Sequence, residues 1–418
     1  MPLAHLKGEG RMEDGMNVLL IATMDTKRHE ADFVESCLKE AGVKTLIMDA
    51  GIMGTCDRKV HVSRDEVADA AGTSLEQVKN IGHEGKALAR MIKGAVICAR
   101  RLVEEGAVRG IMGVGGSMGT TLGTGVMRAF PVGFPKLMVS TMASRDTRSF
   151  VGTRDILMLH SVCDLAGLNR ITRSVLRNGA AAMAGMVRWS KDWQWTKKPL
   201  VVLSTLGTTE ACTIRLRSAL EARGYETVVF HTVGSGGEAM DEFIREHGAD
   251  AVIDLSLHEI ADHRFGGDYD AGPNRGKAAV EKGIPTLLIP GNTDFLVTGP
   301  LAMAEKTFPG RKAHSHNAAI TAIRATEKEL KEIGRLLGRL CNAAQGPVAI
   351  LIPEGGFSAF DHPDGPLYDP KGPRLFDNGL RETLKDHKAA WKVASHINDG
   401  AFADKVLEAF DRLVRHTG

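Results

Sequence analysis

One apolar run that ends in a glycine-rich loop constrains the fold of this chain more than any other segment. Residues 108–114 have the composition of a buried parallel strand, and residues 118–128 are compatible with a helix. Glycines between them let the backbone turn sharply and let a ligand approach its N–H groups. A helix that begins there adds unpaired N–H donors and a partial positive charge. The segment therefore predicts a strand–loop–helix unit that can hold a phosphate.

The residues predicted to form this phosphate site combine small size with hydroxyl groups: Gly115, Gly116, Ser117, Gly119, Thr120 and Thr121. Their spacing matches neither the GxxxxGK[ST] loop nor the GxGxxG fingerprint. The alternative is a tight turn in which glycines only allow the helix to pack closely on the strand. We favour an anion site, with phosphate as the expected ligand.

Composition excludes several classes of protein. The 418 residues are 43% apolar and 25% charged, as in ordinary globular proteins, and the net charge of +2 gives no general attraction to nucleic acid. No apolar run approaches the roughly 20 residues of a membrane span. The six cysteines are scattered without a CxxC pair, so no disulfide or zinc framework is expected. We expect a cytoplasmic protein that binds neither nucleic acid nor membrane.

Short β-rich runs alternate with helical stretches along the whole chain, which predicts parallel sheets flanked by helices. The rhythm is interrupted once, in a tryptophan-rich stretch. We therefore predict two Rossmann-like α/β domains, divided into a flexible leader (1–15), an N-terminal domain (16–188), a linker (189–199) and a C-terminal domain (200–418). Residues 318–341 are predicted to form one long helix.

The two halves share a pattern near their starts. Thr23, Thr26, Leu38, Gly42 and Thr45 recur at a constant offset as Thr205, Thr208, Leu220, Gly224 and Thr227. Five matches are weak support for a duplication, because both segments are ordinary βαβ units. They are consistent with two similar domains, and we expect a ligand in the cleft between them.

Polar residues follow the first predicted strand, where a ligand of a parallel sheet binds. Thr23, Asp25, Thr26 and Lys27 could hold a phosphate, and Asp25 could hold it through a metal ion. The alternative role of Asp25 or Thr26 is to cap the next helix. Arg145 follows a later strand and suits an anion, although surface ion pairing with Asp146 and Asp155 is the favoured explanation there.

The second half contains a similar glycine loop and two candidate bases. Gly234, Ser235, Gly236 and Gly237 lie between a predicted strand and helix and form a second candidate anion site. Glu354 follows a late strand, and His314 precedes the predicted long helix. Either could act as a catalytic base at the loop edge of an α/β domain.

Taken together, these motifs resemble a known family. Residues 22–27, 113–121, 131–141 and 166–170, with 229–237, 346–348 and 396–399, look like the family of the ATP-binding N-terminal domain of the tomato mosaic virus resistance protein. The resemblance runs from about Val18 to the C-terminus. It implies two Rossmann-like domains, ATP binding in some members and homodimer formation. It implies no single reaction.

Three loops of the second half depart from the family pattern: residues 204–210, 290–294 and 353–358. We expect these loops to determine specificity.

The resulting expectation is a cytosolic, dimeric ATP-binding protein with Mg²⁺ bound to the nucleotide through Asp25. If it is an enzyme, ATP would activate or phosphorylate a small carboxylate metabolite. Lys27 and Arg145 would then neutralise developing charge, and His314 or Glu354 would be the base. The alternatives are a non-catalytic two-lobed sensor and a nucleotide-independent isomerase or lyase acting on a phosphorylated small molecule.

Overall fold

The computed structural model describes residues 17–55, 57–190 and 196–415. It divides into two compact α/β units between Gln194 and Trp195. The expected leader, residues 1–15, lies outside the described residues, and so do residues 191–195 of the expected linker.

The N-terminal unit contains one parallel sheet and seven helices among its described residues. Its strands are β1 (Asn17–Ala22), β2 (Lys44–Asp49), β3 (Gly110–Gly115), β4 (Lys136–Ser140) and β5 (Leu157–His160). Its helices are α1 (Met24–Glu40), α2 (Arg64–Ala70), α3 (Leu75–Lys79), α4 (Glu84–Glu104), α5 (Ser117–Met127), α6 (Arg148–Val151) and α7 (Arg170–Trp189). The strand order is β2-β1-β3-β4-β5, and all neighbours are parallel.

The C-terminal unit is built in the same way around a longer sheet. Its strands are β6 (Leu200–Thr205), β7 (Glu226–His231), β8 (Ala251–Ser256), β9 (Thr286–Gly291), β10 (Phe295–Thr298), β11 (Ala313–Ser315), β12 (Thr321–Arg324), β13 (Val348–Pro353) and β14 (Ala390–Val393). Its α-helices are α8 (Glu210–Ala222), α9 (Ser235–His247), α10 (His258–Phe265), α11 (Lys277–Glu281), α12 (Leu301–Thr307), α13 (Glu327–Asn342), α14 (Gly372–Thr383) and α15 (Gly400–Arg415). The main sheet has the order β14-β13-β9-β8-β6-β7 and is parallel throughout.

Alternate side chains of the central strands pack on opposite helical layers. Along β1, Leu19 and Ile21 join one buried cluster, and Val18 and Leu20 join another. A parallel strand covered on both faces must be apolar at nearly every position, which is why β1 reads as a continuous apolar run. The predicted fold class, two α/β domains with mainly parallel sheets flanked by helices, is confirmed.

The long helix predicted over residues 318–341 is wrong. Its first part is strand β12, which pairs antiparallel with β10 and β11 in a separate small sheet. Only α13 is helical, and it begins at a capping box in which Thr326 and Glu329 satisfy each other's backbone N–H groups. The alanines before Thr326 suggested helix, whereas tertiary pairing made them strand.

The two repeated glycines have equivalent roles. Gly42 follows α1 and Gly224 follows α8, and both have positive φ angles, 76° and 89°. Leu38 and Leu220 are buried on those helices. In the part of the chain that is described, no helix has both the length and the apolar character that crossing a membrane requires.

Candidate functional site

The order of strands in the N-terminal sheet reverses between β1 and β3. A cleft of about 470 Å³ opens at this edge. Ligands of open α/β sheets bind outside the carboxyl ends of the strands, at the point where the strand order reverses. Thr23, Asp25 and Thr26 line the cleft on the β1 side, and Met118 of α5 lines it on the β3 side. The residues after β1 and Met118 of α5 therefore line one cleft, whereas Lys27, Gly116 and Ser117 are not among its lining residues.

One part of the opposite wall is apolar, and Lys79, His83 and Glu84 also line the cleft. Ile52 and Met53 come from the loop after β2, Val78 from α3 and Leu88 from α4. Met53 is strongly exposed, with 66% of its surface accessible. A cleft of this volume, apolar on one side and polar on the other, is typical of small-molecule sites.

Asp25 has the most suggestive environment of the predicted residues. Its side chain lies against the loop after β2, so that a Cβ on Gly54 would come 2.8 Å from the Asp25 Cβ atom. Its Oδ1 atom is buried and has no hydrogen-bond partner among the described residues. A buried carboxylate oxygen without a partner is costly unless a ligand, an ion or water satisfies it.

The loop after β2 is held in place by Arg64 of α2. This buried side chain forms a salt bridge with Asp49, the last residue of β2. Its Nη1 atom donates to the carbonyl oxygens of Met53 and Gly54 at 2.7 and 3.2 Å. Arg64 therefore fixes the wall of the cleft from behind.

The glycines between β3 and α5 have different functions. A Cβ on Gly115 would lie 2.7 Å from the Gly119 Cα atom, so this pair is required for close packing of helix on strand. A Cβ on Gly116 would have only Thr141 Oγ1 near it, at 3.8 Å. Close packing thus requires a glycine at position 115. At position 116 packing would accommodate a Cβ atom, so it does not account for the glycine there.

The start of α5 is uncapped. Gly116 occupies the N-cap position, and no side chain in the described part of the chain caps the first turn of this helix. Ser117 is exposed at the first helical position. Unpaired N–H donors at the start of an 11-residue helix form a favourable environment for an anion.

The two threonines of this loop are engaged within the protein. Thr120 is fully buried, and its hydroxyl bonds with the Gly116 carbonyl at 2.7 Å and with Ser140 Oγ at 2.6 Å. Thr121 donates to the Ser117 carbonyl at 3.1 Å. The Thr120 hydroxyl thus ties α5 to β4, which is a structural role.

The hydroxyls after β1 pair with each other, since Thr23 Oγ1 lies 3.0 Å from Thr26 Oγ1. Lys27 interrupts the helical geometry of α1, with φ −120° and ψ 19°. Arg145 is exposed in the loop after β4. The aspartates considered as its partners have other contacts, because Asp155 pairs with Lys136 at 2.7 Å and Asp146 accepts from a backbone N–H.

The second glycine loop already holds an anion, the side chain of Glu259. Glu259 Oε1 accepts from the N–H groups of Gly234 and Gly237 at 2.7 and 3.1 Å. A Cβ on Gly236 would come 1.7 Å from the His231 carbonyl oxygen. These glycines are explained by internal contacts, and a phosphate here would have to displace Glu259. Ser235 begins α9 and is half-buried.

Glu259 is held by a buried arginine. Arg275 Nε donates to Glu259 Oε2 at 2.6 Å, and its two terminal nitrogens bind both oxygens of Asp254 at 2.6 and 2.7 Å. Burial raises the pKa of Glu259, and the positive charge of Arg275 opposes that rise. Asp254 and Arg275 lie at the carboxyl end of the main sheet and lock the glycine loop there.

The two candidate bases have separate partners. His314 lies on β11, with its ring 4.8 Å from that of Phe360 in an edge-on arrangement. Glu354 is exposed after β13 and pairs with Lys392 of β14 at 2.8 Å. Both remain predictions as catalytic residues.

Sequence reasoning did not identify Asp49 and Arg64, which shape the cleft. The only signal for Arg64 was its place directly after the capping residue Ser63. Within residues 17–55, 57–190 and 196–415, no group of three or more His, Cys, Asp or Glu side chains could hold a metal ion.

Known proteins resemble this chain over nearly its full length. Residues 16–192 match the model described as "Uncharacterised protein family (UPF0261) N-terminal domain", and residues 198–414 match that of the C-terminal domain. A UPF0261 protein of Clostridium tetani is 36% identical over 387 residues, which cover 92% of this chain and 96% of the relative. One from Brucella suis is 32% identical over 399 residues, 95% of each.

A plant relative extends the comparison. The ToMV resistance protein Tm-1(GCR237) of Solanum lycopersicum is 35% identical over 333 residues, which cover 78% of this chain and 44% of that protein. The resemblance seen in the motifs is confirmed at the level of the family. The match of both family models and the identity to full-length relatives establish that this chain belongs to the UPF0261 family.

Proposed function

We propose that the N-terminal unit binds ATP in the cleft at the carboxyl edge of its sheet. The phosphates lie at Gly116 and the first turn of α5, and the adenine lies against Ile52, Val78 and Leu88. The observation that carries the proposal is the uncapped start of α5 beside a glycine that packing does not require. The apolar wall supplies the surface that a base needs.

Two further features support the proposal. The cleft lies where the strand order reverses, which is the usual nucleotide position in doubly wound sheets. The family resemblance also implies ATP binding in some members. The name of the tomato relative describes resistance to a virus and is not extended to this chain.

A magnesium ion would lie between the phosphates and Asp25. Oxygen ligands are those that Mg²⁺ prefers, and it usually takes one or two carboxylates together with phosphate oxygens. The unpartnered Oδ1 atom of Asp25 fits this need. The ion would supply charge neutralisation for the phosphates, while Thr26 and Lys27 follow Asp25 at the start of α1.

Calorimetric titration with ATP, with and without Mg²⁺, tests the proposal. We expect saturable binding that weakens at least tenfold in the Gly116→Asp variant, because the new carboxylate repels phosphate and competes for the same N–H groups. Gly185→Asp on α7 is the matched control, since a Cβ there meets no atom within 4 Å. It introduces the same charge in the same unit and should leave affinity unchanged.

Asp25→Asn should remove the effect of Mg²⁺ on affinity but retain metal-free binding. Equal ATP affinity in the wild type and in Gly116→Asp would refute the phosphate position. Absence of any ATP binding by the wild type would refute the proposed function.

A further inference from the structure

Arg324 in the C-terminal unit has half of its guanidinium group buried without a partner. It is the last residue of β12 and is only 8% exposed. Its Nη1 atom donates to Asp361 at 2.9 Å and lies 3.5 Å from Asp294 Oδ2. Among the described residues, its buried Nε and Nη2 atoms have no hydrogen-bond partner. Asp369 Oδ2 lies 4.0 Å from Nη2, which is too far for a hydrogen bond.

Nε and Nη2 form the side of a guanidinium that binds carboxylates and phosphates through parallel hydrogen bonds. The same protein provides a reference for this geometry. Arg64 uses the same two nitrogens, Nε and Nη2, to bind Asp49 at 2.8 and 2.6 Å, both on its Oδ2 atom. In Arg324 the equivalent pair of donors faces no protein acceptor. Donors that are buried and unsatisfied are costly, so a ligand or ordered water is expected there.

A helix begins beside these two nitrogens. Helix α14 has 12 residues, and no described side chain caps its first turn, although the Gly372 N–H donates to the Asp369 carbonyl oxygen at 3.0 Å. A Cβ on Gly372, its first residue, would lie 2.6 Å from Arg324 Nη2. The absence of a side chain at Gly372 therefore lets the guanidinium approach the start of the helix, which adds a partial positive charge at the same place.

A second buried group nearby is also incompletely satisfied. Asp294 is fully buried, and its Oδ2 atom accepts from Ser358 Oγ at 2.8 Å. Its Oδ1 atom has no partner among the residues described. Burial, and then the negative charge of Asp361, raise the pKa of Asp294 to about 7. Near neutral pH, Asp294 is therefore partly protonated. The three carboxyl groups around Arg324, those of Asp294, Asp361 and Asp369, then carry fewer than three negative charges.

We propose that the C-terminal unit binds a small carboxylate or phosphate ligand on Nε and Nη2 of Arg324, at the start of α14. The two N–H groups form parallel hydrogen bonds with two ligand oxygens. Asp369, about one third exposed, competes with the ligand from the surface. This site does not depend on ATP binding in the N-terminal unit.

The test observes the Nε–H resonance of Arg324 in ¹⁵N-labelled full-length protein, assigned with the Arg324→Lys variant. Inorganic phosphate and acetate are titrated separately, with chloride at equal ionic strength as the control. We expect a saturable shift with at least one of the two anions and none with chloride. A shift with phosphate alone or with acetate alone identifies the ligand class.

Two variants give opposite expected results. Gly372→Ala places a methyl group against Nη2 and should weaken anion binding at least tenfold, while the flexible end of Arg324 can move without loss of the fold. Asp369→Asn removes the competing charge and should strengthen binding several-fold. The proposal is overturned if neither anion gives a saturable shift, which would leave ordered water only, or if Gly372→Ala binds as the wild type does. Thermal unfolding of each variant identifies any that is misfolded.

Discussion

Both Nε and Nη2 of Arg64 converge on one oxygen of Asp49, its Oδ2 atom, at 2.8 and 2.6 Å. This leaves Asp49 Oδ1 to accept from the backbone N–H groups of Met24 and Gly51, at 3.2 and 2.9 Å. One buried ion pair thus joins the start of α1 to the loop after β2. The loop after β2 also carries Ile52, which belongs to the proposed adenine surface.

Arg64→Lys should weaken ATP binding about tenfold and lower the free energy of unfolding by about 1–3 kcal/mol. Lysine keeps the charge but cannot bind Asp49 and the loop carbonyls together. Calorimetry and urea denaturation measure the two effects. Arg177→Lys is the control, because its ion pair with Glu40 is largely exposed. Unchanged ATP affinity in Arg64→Lys would show that the loop does not contribute to the site.

Gly116→Asp should change stability and affinity in opposite directions. Aspartate is a good N-cap, and its charge favours the start of α5, so the free energy of unfolding should rise by about 0.5–1 kcal/mol. The same carboxylate should abolish phosphate binding. Urea denaturation of the variant alongside the ATP titration tests both. If the variant is instead less stable than the wild type, misfolding would account for its loss of ATP affinity.

Gly237→Ala should destabilise the C-terminal unit by about 3 kcal/mol or more. A Cβ there would lie 1.7 Å from Glu259 Oε2 and 2.3 Å from Arg275 Nε, so it would separate a buried ion pair. Gly207→Ala is the matched control, because a Cβ at Gly207 meets no atom within 4 Å. Denaturant midpoints compare the two variants. Similar midpoints would mean that the Glu259 side chain can move away from the glycine loop at little cost in stability, contrary to the prediction.

Asp294→Asn should change how stability depends on pH. The pKa of Asp294 is about 7 in the folded protein and about 3.9 when unfolded. Between these values the folded state keeps a proton that the unfolded state releases, so stability falls by about 1.4 kcal/mol for each unit of rising pH. Above pH 7 the loss is complete. Asparagine does not titrate, so the variant lacks this slope. The free energy of unfolding of the variant minus that of the wild type should therefore be larger at pH 8 than at pH 5.

His258 contributes the opposite slope. Burial lowers the pKa of this histidine to about 3, below its unfolded value of about 6.5. Stability from His258 therefore rises with pH between these values. The two slopes offset each other from about pH 4 to 6.5. Urea midpoints measured across this range should rise with pH in Asp294→Asn and stay flatter in the wild type. Parallel curves would contradict the raised pKa of Asp294.

Local sequence patterns were enough to predict most of the fold. Continuous apolar runs such as β1 identify doubly covered strands, and glycines such as Gly42 identify helix ends. The small antiparallel sheet was missed because β12 gains its strand conformation from pairing with β10 and β11, which no local pattern reports.

The candidate site was predictable only in part. Position after a strand was sufficient to select Asp25 and Gly116, because the carboxyl ends of parallel strands meet at one edge. Arg64 and Arg324 were not predicted, since their significance lies in which of their nitrogens are bonded. The same limit applies to Gly237, whose sequence context resembles that of Gly116 although its neighbour is Glu259.

The Glu259 side chain makes the glycine loops of the two similar units differ in their capacity to bind an external anion. Two sheets with the same strand order each present a glycine loop before a helix, but in the C-terminal unit the chain supplies its own negative charge. In the proposed function, only the N-terminal loop takes an anion from solution. The expected stoichiometry is therefore one nucleotide for each chain, although the chain contains two units of the same design.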